Sequence, residues 1–287
     1  MEWSVPKFPL DELCDQALSW LTFHGSTLTR AVSHVVADWI DVSTGALVSI
    51  PPWLTIAAFV LVAWRLGGSR IAILTAAGFM FLWNLRLWQP TIETMVLVTL
   101  ATSAALLIGI PIGIACGLSK RTWRTVGPCL DMMQTMPSFV YLIPAIPFFG
   151  LGPVSACFAT IVFSMPPVIR LTALGIMQVP PDLIEATDAF GSTPAQKLLK
   201  VQLPLALPTI MAGINQTIML ALSMVVIAAM IGAGGLGREV WRSIQRLEAG
   251  VGFETGIAIV IVAVILDRIT QKMAQRLRPS GSIAHPS

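Results

Sequence analysis

From Val48 almost to the carboxyl terminus, strongly apolar runs follow one another and the charged residues are gathered in the gaps between them. Seven runs reach or approach the roughly 20 residues that a helix needs to cross a hydrocarbon layer about 30 Å thick. They cover 48–64, 71–85, 92–118, 136–151, 154–176, 206–231 and 252–271, the first, second and fourth being short. Residues 1–50 have a different rhythm. Leu10, Leu13, Ala17, Leu18 and Leu21, then Leu28, Val32, Val35, Val36 and Trp39, recur at helical spacing with acids between them. This pattern predicts two amphipathic helices lying on the membrane surface or on the protein itself. The start, Met1-Glu2-Trp3, lacks the basic opening and early apolar core of a cleaved signal peptide, so insertion relies on a later span.

Composition agrees with the pattern. The chain has 287 residues, 55% hydrophobic and 11% charged, with a mean hydropathy of +0.78. Soluble domains carry about 25% charged residues, so an all-α integral membrane protein is expected. A net charge of +3 is too small to imply a nucleic-acid partner. Cys14, Cys116, Cys129 and Cys157 have no ligand spacing and are read as small packing residues; no metal site is expected. His24, His34 and His285 share no motif.

The longest charged passage between two apolar runs is Val179 to Pro208. Pro180 and Pro181 end what precedes them, and Asp182 with Glu185 has the spacing of a capping box, so a first short helix is expected over about 183–190. Gly191 stands where a left-handed residue is wanted. Thr193, Pro194 and Gln196 form a second start signal, and Pro204 is expected to stop the second helix near Leu203. Each helix of about two turns is too short to be stable alone in water.

Glu185-Ala186, Gly191 six residues after the Glu, and Val201-x-Leu203-Pro204 after nine more together resemble the EAA loop of ABC-importer permeases, usually written E-A-A-x3-G-x9-I-x-L-P. Thr187 replaces the second Ala and Val201 the Ile. The resemblance implies a cytoplasmic loop at 182–204 in which Asp182, Glu185, Ala186, Gly191, Leu203 and Pro204 serve docking to a separate ATPase.

With that loop inside and the spans alternating outward from it, twelve of the 18 Lys and Arg fall on the cytoplasmic side. The bias obeys the positive-inside rule and predicts an amino terminus outside and a carboxyl terminus inside. Trp53, Trp64, Trp83, Trp88 and Trp241 fall near span ends, as interfacial belts do.

Gly232-Ala233-Gly234-Gly235-Leu236-Gly237 fits G-x-G-x-x-G, but a membrane span rather than a strand precedes it. A tight turn at the outer face is the expected use of these glycines. No G-x4-G-K-[ST] occurs, so energy has to come from a partner. No catalytic triad or paired-carboxylate arrangement is found, and no acid is expected deep inside a span, which counts against an intramembrane protease or an ion-driven carrier. The polar residues of the spans are neutral. Gln134, Ser138, Asn215, Gln216, Thr217 and Ser223 are candidates for a translocation path, with hydrogen bonding between helices as the alternative. Pro137, Pro144, Pro147 and Pro166-Pro167 break helical bonding at membrane depth, as in transporters whose helices bend around a path.

Two runs narrow the resemblance. M-Q-T-M-P-S-F-V-Y-L-I-P-A from Met133, followed by G-L-G-P from Gly150, and the run from Gly213 to Gly237 closely resemble the permeases of glycine betaine, choline and proline betaine importers. The likeness covers about 53–270. It implies a type I ABC-importer core at 91–275, two accessory spans at 51–90, a periplasmic segment at 1–50 and a cytoplasmic tail at 276–287. The function it implies is inward passage of a small quaternary-ammonium osmolyte, choline slightly ahead of glycine betaine, across the bacterial inner membrane. The implied partners are membrane lipid, two ATPase subunits and a periplasmic or lipid-anchored binding protein. One loop per chain calls for a homodimer. ATP and magnesium would belong to the ATPase, with no cofactor on this chain. The alternatives are another solute on the same architecture, such as an amino acid, or a secondary ion-driven carrier.

Overall fold

Helices account for nearly all of residues 9–276, the part of the chain that the computed structural model describes, and no strand occurs among them. The helices are α1 (Leu10–Ser49), α2 (Pro52–Gly67), α3 (Ser69–Asn84), α4 (Trp88–Leu118), α5 (Lys120–Thr135), α6 (Leu142–Phe149), α7 (Pro153–Ser164) and α8 (Pro166–Met177). They continue as α9 (Pro181–Ala189), α10 (Pro194–Lys197), α11 (Leu203–Ala229), α12 (Gly235–Gln245) and α13 (Ala249–Arg276). The tail expected at 276–287 lies outside the described residues except for Arg276, as do Met1-Glu2-Trp3 and His285.

The count of about seven spans is approximate. Four segments are long and apolar enough to cross a membrane: α4, α7 with α8 (Pro153–Met177), Pro194–Ala229, and Ala249–Met273. Two bent pairs raise the number to six, the end of α1 with α2 at 105° and α5 with the Ser138–Phe149 segment at 113°. At 16 residues, α3 is about 24 Å long at 1.5 Å per residue, too short to cross unaided. It pairs with α2 as a hairpin through Gly67-Gly68 and leans on α13, where Gly78 lies against Ile261 and Ile265.

The amino-terminal segment is one helix and not two. Gly25, Ser26 and Thr27 look like a break, but a helix-interior Gly costs only about 1 kcal/mol, and no proline interrupts 10–49. One face of α1, Val36, Ile40 and Leu47, packs into the main core cluster with Trp88, Ile92 and Val225.

Three helices form the centre, and glycine decides how closely they approach. Gly109, Gly113 and Gly117 make a stripe on α4 that receives α8. A Cβ on Gly113 would lie 2.6 Å from Thr172 Cβ, one on Gly109 2.6 Å from Val168 Cγ1, and one on Gly117 2.8 Å from Ile176 Cβ. On the far side of α8, Gly175 meets Ala206 and Thr209, and Gly213 of α11 meets Leu171 and Val168. Where lipid removes the hydrophobic drive, such close backbone approach is what holds helices together. The stripe G-x-x-x-G-x-x-x-G was readable in the sequence, but its partner helix was not.

Candidate coupling loop and membrane path

α9 and α10 project from the bundle as an exposed pair. Of the expected docking residues, Asp182, Glu185, Ala186 and Gly191 are exposed and Leu203 and Pro204 half-buried. Leu183, Phe190 and Leu199 add apolar surface, Phe190 being 90% exposed at the tip. Unpartnered apolar groups on a two-turn hairpin are the chemistry of a surface meant to be covered.

Three devices give this pair a fixed shape. Gly191 has φ +73°, and the N–H groups of Gly191 and Ser192 donate to the carbonyls of Asp188 and Thr187, which closes the first helix in a Schellman turn. Thr193 Oγ1 accepts from the Gln196 N–H at 3.3 Å while Gln196 Oε1 accepts from the Thr193 N–H at 2.9 Å, the expected second capping box. Lys197 Nζ reaches both oxygens of Asp188 at 2.7 and 2.9 Å and ties one helix to the other.

Two expectations for the loop fail. No Asp182–Glu185 box forms, because the helix starts two residues early: Pro180 takes the cap position, Pro181 is the first helical residue, and Asp182 sits in the first turn. Prolines have no N–H to be capped, so the box loses its use. Nor does Pro204 stop the second helix. A π-helical segment, Leu198–Gln202, joins α10 to α11, with the Leu203 N–H donating five residues back to the Leu198 carbonyl. That wider turn accommodates the ring of Pro204, and the helix runs on through the membrane.

The six candidate path residues separate. On α11 the exposed positions Ala212, Gln216, Met219 and Ser223 form one stripe at helical spacing, so Gln216 and Ser223 share a face. Ser223 Oγ donates to the Met219 carbonyl at 2.9 Å, whereas Gln216 makes no hydrogen bond among the described residues. Asn215 points elsewhere: its Nδ2 donates to Asp267 Oδ1 of α13 at 2.7 Å. Thr217 is buried with no partner for its hydroxyl. Gln134 is exposed on the last turn of α5, and Ser138 is half-buried in the 3-10 turn Ser138–Tyr141, which touches α11. Tyr141 is 5% exposed, donates its hydroxyl to the Met133 carbonyl and stacks edge-on against Phe163, so it braces the α5–α6 bend.

Asp267 holds Asn215 from near the end of its span. It lies within the seventh apolar run, half-buried, and it also accepts from Gln271 Nε2 at 2.8 and 2.9 Å. A second acid, Glu93, organises the opposite end of the bundle. Its Oε2 accepts from the Gly235 N–H at 2.7 Å and from Arg238 at 3.1 Å, while Thr94 Oγ1 accepts from the Leu236 N–H at 2.8 Å. Carboxylate and hydroxyl thus cap α12, whose first residue, Gly235, has φ +81° and lies against Thr94. The glycine-rich run is a turn into a helix, with no βαβ unit among the described residues.

Residues 109–279 match the family described as binding-protein-dependent transport system inner membrane component. The chain is 48% identical over 278 residues to the glycine betaine transport system permease protein OpuAB of Bacillus subtilis, covering 97% of this chain and 99% of that one. It is 44% identical over 274 residues to the glycine betaine/proline betaine transport system permease protein ProW of Escherichia coli, covering 96% and 77%. Its fold is similar to a solved chain of the MetNI methionine ABC transporter in an inward-facing conformation, with a TM-score of 0.62 at 23% identity, over 67% of this chain and 95% of that one. The multi-pass helical bundle fits an inner membrane component. The chain belongs to the family of binding-protein-dependent transport system inner membrane components, and is the non-enzymatic membrane permease of an ABC importer that works with an ATPase and a substrate-binding protein.

Proposed function

We propose that this permease passes glycine betaine inward, with choline as a second solute, as a homodimer carrying two ATPase subunits in the bacterial inner membrane. The observation that carries the reading is the exposed α9–α10 pair, whose sequence has the EAA spacing and whose shape is held by Gly191, the Thr193 cap and the Lys197–Asp188 pair. A permease has no use for a rigid, apolar-tipped loop unless another subunit covers it. ATP and magnesium act on that subunit. The choice of solute rests on the relatives named above, and both are named for glycine betaine.

The amino terminus is placed outside and the carboxyl terminus inside, in accord with the Lys and Arg bias. Solute moves past the exposed α11 face at Gln216 and Ser223, with Gln134 and Ser138 contributing from the bent α5–α6 segment. Asn215 ties α11 to α13, and Thr217 is buried in the packing. Co-reconstitution of the permease, ATPase and binding protein in liposomes tests the whole reading. Uptake of radiolabelled glycine betaine should require ATP and be reduced by unlabelled choline. Uptake that persists without ATP under an ion gradient, or uptake of an amino acid in its place, would overturn it.

A further inference from the structure

At the end of the bundle opposite α9 and α10, where α4 and α7 begin and α11 ends, α1 crosses the core and leaves a cavity of about 260 Å³ beneath it. Drug-sized ligands occupy roughly 300–1,000 Å³, so this volume suits something smaller. Its walls combine three kinds of surface: apolar from Ile40, Leu97 and Val225, acidic from Asp41 and Glu93, and basic from Arg238.

The hydrogen bonding divides these groups into spent and unspent. Glu93 is fully engaged by the Gly235 N–H, Arg238 and Gln89. Arg238 is held by Glu93 through one terminal nitrogen at 3.1 Å and by Glu239 through Nε at 3.8 Å, which leaves its other terminal nitrogen unspent, and its side chain keeps 45% of its exposure. Asp41, on the exposed flank of α1, has no hydrogen-bond or ion-pair partner among the described residues. One turn further on, Thr44 Oγ1 is buried and has none either. An orphaned buried hydroxyl is a cost that a bound acceptor removes. A free carboxylate, a free hydroxyl and a half-spent guanidinium around one apolar-walled cavity match a small molecule bearing both a quaternary ammonium and a carboxylate. The ammonium has no N–H to donate, so it needs only a negative charge and an apolar wall, which Asp41 and Ile40 supply. The carboxylate can accept from Thr44 Oγ1 and Arg238.

We infer that this cavity is a binding station for the zwitterionic solute on the permease itself, formed jointly by α1 and the turn before α12. The inference rests on the solute proposed above. In the proposed topology it lies on the side from which the solute arrives, and it gives α1 a role in transport.

Equilibrium dialysis of radiolabelled glycine betaine against the permease–ATPase complex in lipid nanodiscs, without binding protein, tests it. The wild type should bind saturably. Asp41→Asn and Thr44→Val, both near-isosteric, should each weaken binding on the order of tenfold, about 1.4 kcal/mol by the usual conversion. Thr44→Val should leave choline, which has no carboxylate, unaffected. No saturable binding to the wild type, or equal binding by all three proteins, would overturn the inference. ATP-driven uptake by the wild type, measured in parallel with the binding protein present, separates the two readings. If glycine betaine is taken up and the variants bind normally, only the cavity assignment falls; if it is not taken up, the solute assignment falls and the cavity assignment with it.

Discussion

Asn215 of α11 and Asp267 of α13 are joined by a 2.7 Å hydrogen bond across 52 residues of sequence, so the most polar pair of neighbours in the sixth apolar run faces two ways. Asn215 is turned to a neighbouring helix, and Gln216 is turned outward on the exposed stripe. Interhelical hydrogen bonds in membranes average about 0.6 kcal/mol and reach about 1.7. Asn215→Ala should therefore lower thermal stability in detergent by about 1 kcal/mol, with expression and uptake falling together. Gln216→Ala should leave the melting temperature unchanged and alter the KM for uptake. Equal melting temperatures for the two variants would contradict this division.

Gly191 offers a clean test of coupling, because nothing lies within 4 Å of where its Cβ would be. Gly191→Val meets no clash, only the penalty of holding φ near +73°, roughly 1–2 kcal/mol for a residue with a Cβ. The helix pair should lose its shape while the membrane bundle does not. Reduced co-purification of the ATPase, or ATP hydrolysis uncoupled from uptake, is the expected outcome, with Glu185→Ala having a smaller effect. Wild-type values of both in Gly191→Val would reduce the loop to a connector.

A Cβ on Gly113 would stand 2.6 Å from Thr172 Cβ and 2.8 Å from the Ile169 carbonyl oxygen, and that backbone atom cannot swing aside. Gly113→Leu should force α4 from α8 at a cost of about 1–3 kcal/mol or more, read as loss of folded protein in fluorescence-detected size exclusion. Gly25→Leu, in a part of α1 where only Thr29 Cγ2 at 3.9 Å is near, should be tolerated.

The Lys197–Asp188 pair joins two side chains that are 22% and 53% exposed. Surface pairs of this kind are worth about 0–1 kcal/mol and are screened by salt. Asp188→Asn should therefore weaken ATPase association no more than about fivefold at low ionic strength, and the difference should vanish near 1 M salt. A loss as large as that of Gly191→Val would make the ion pair, rather than the backbone turn, the main determinant of the loop's shape.

Orientation is tested by labelling. In a background without Cys14, Cys116, Cys129 and Cys157, a cysteine at Ser26 should react with an impermeant thiol reagent in intact cells. One at Ser280, outside the described residues, should not. Reversed labelling would invert the topology.

The sequence by itself determined whatever depends on neighbours in the chain. Apolar runs of membrane length, the left-handed Gly191, the Thr193–Gln196 box and the EAA spacing are all local, and each carries its physical cause within a few residues. Local reasoning failed where one element had to be weighed against the next. Pro204 reads as a stop until a π turn absorbs it, Asp182 as a cap until two prolines start the helix without it, and the two apolar stripes before Ile40 as two helices until one continuous helix joins them. Only the tertiary structure decided which helix the Gly109–Gly113–Gly117 stripe receives, and which way Asn215 faces. It alone showed that Glu93 and Thr94 cap a helix 142 residues further along the chain and that Asp41 and Thr44 overhang a cavity. Such contacts leave no periodicity or spacing behind, because their energy comes from surfaces that meet only when the helices have packed.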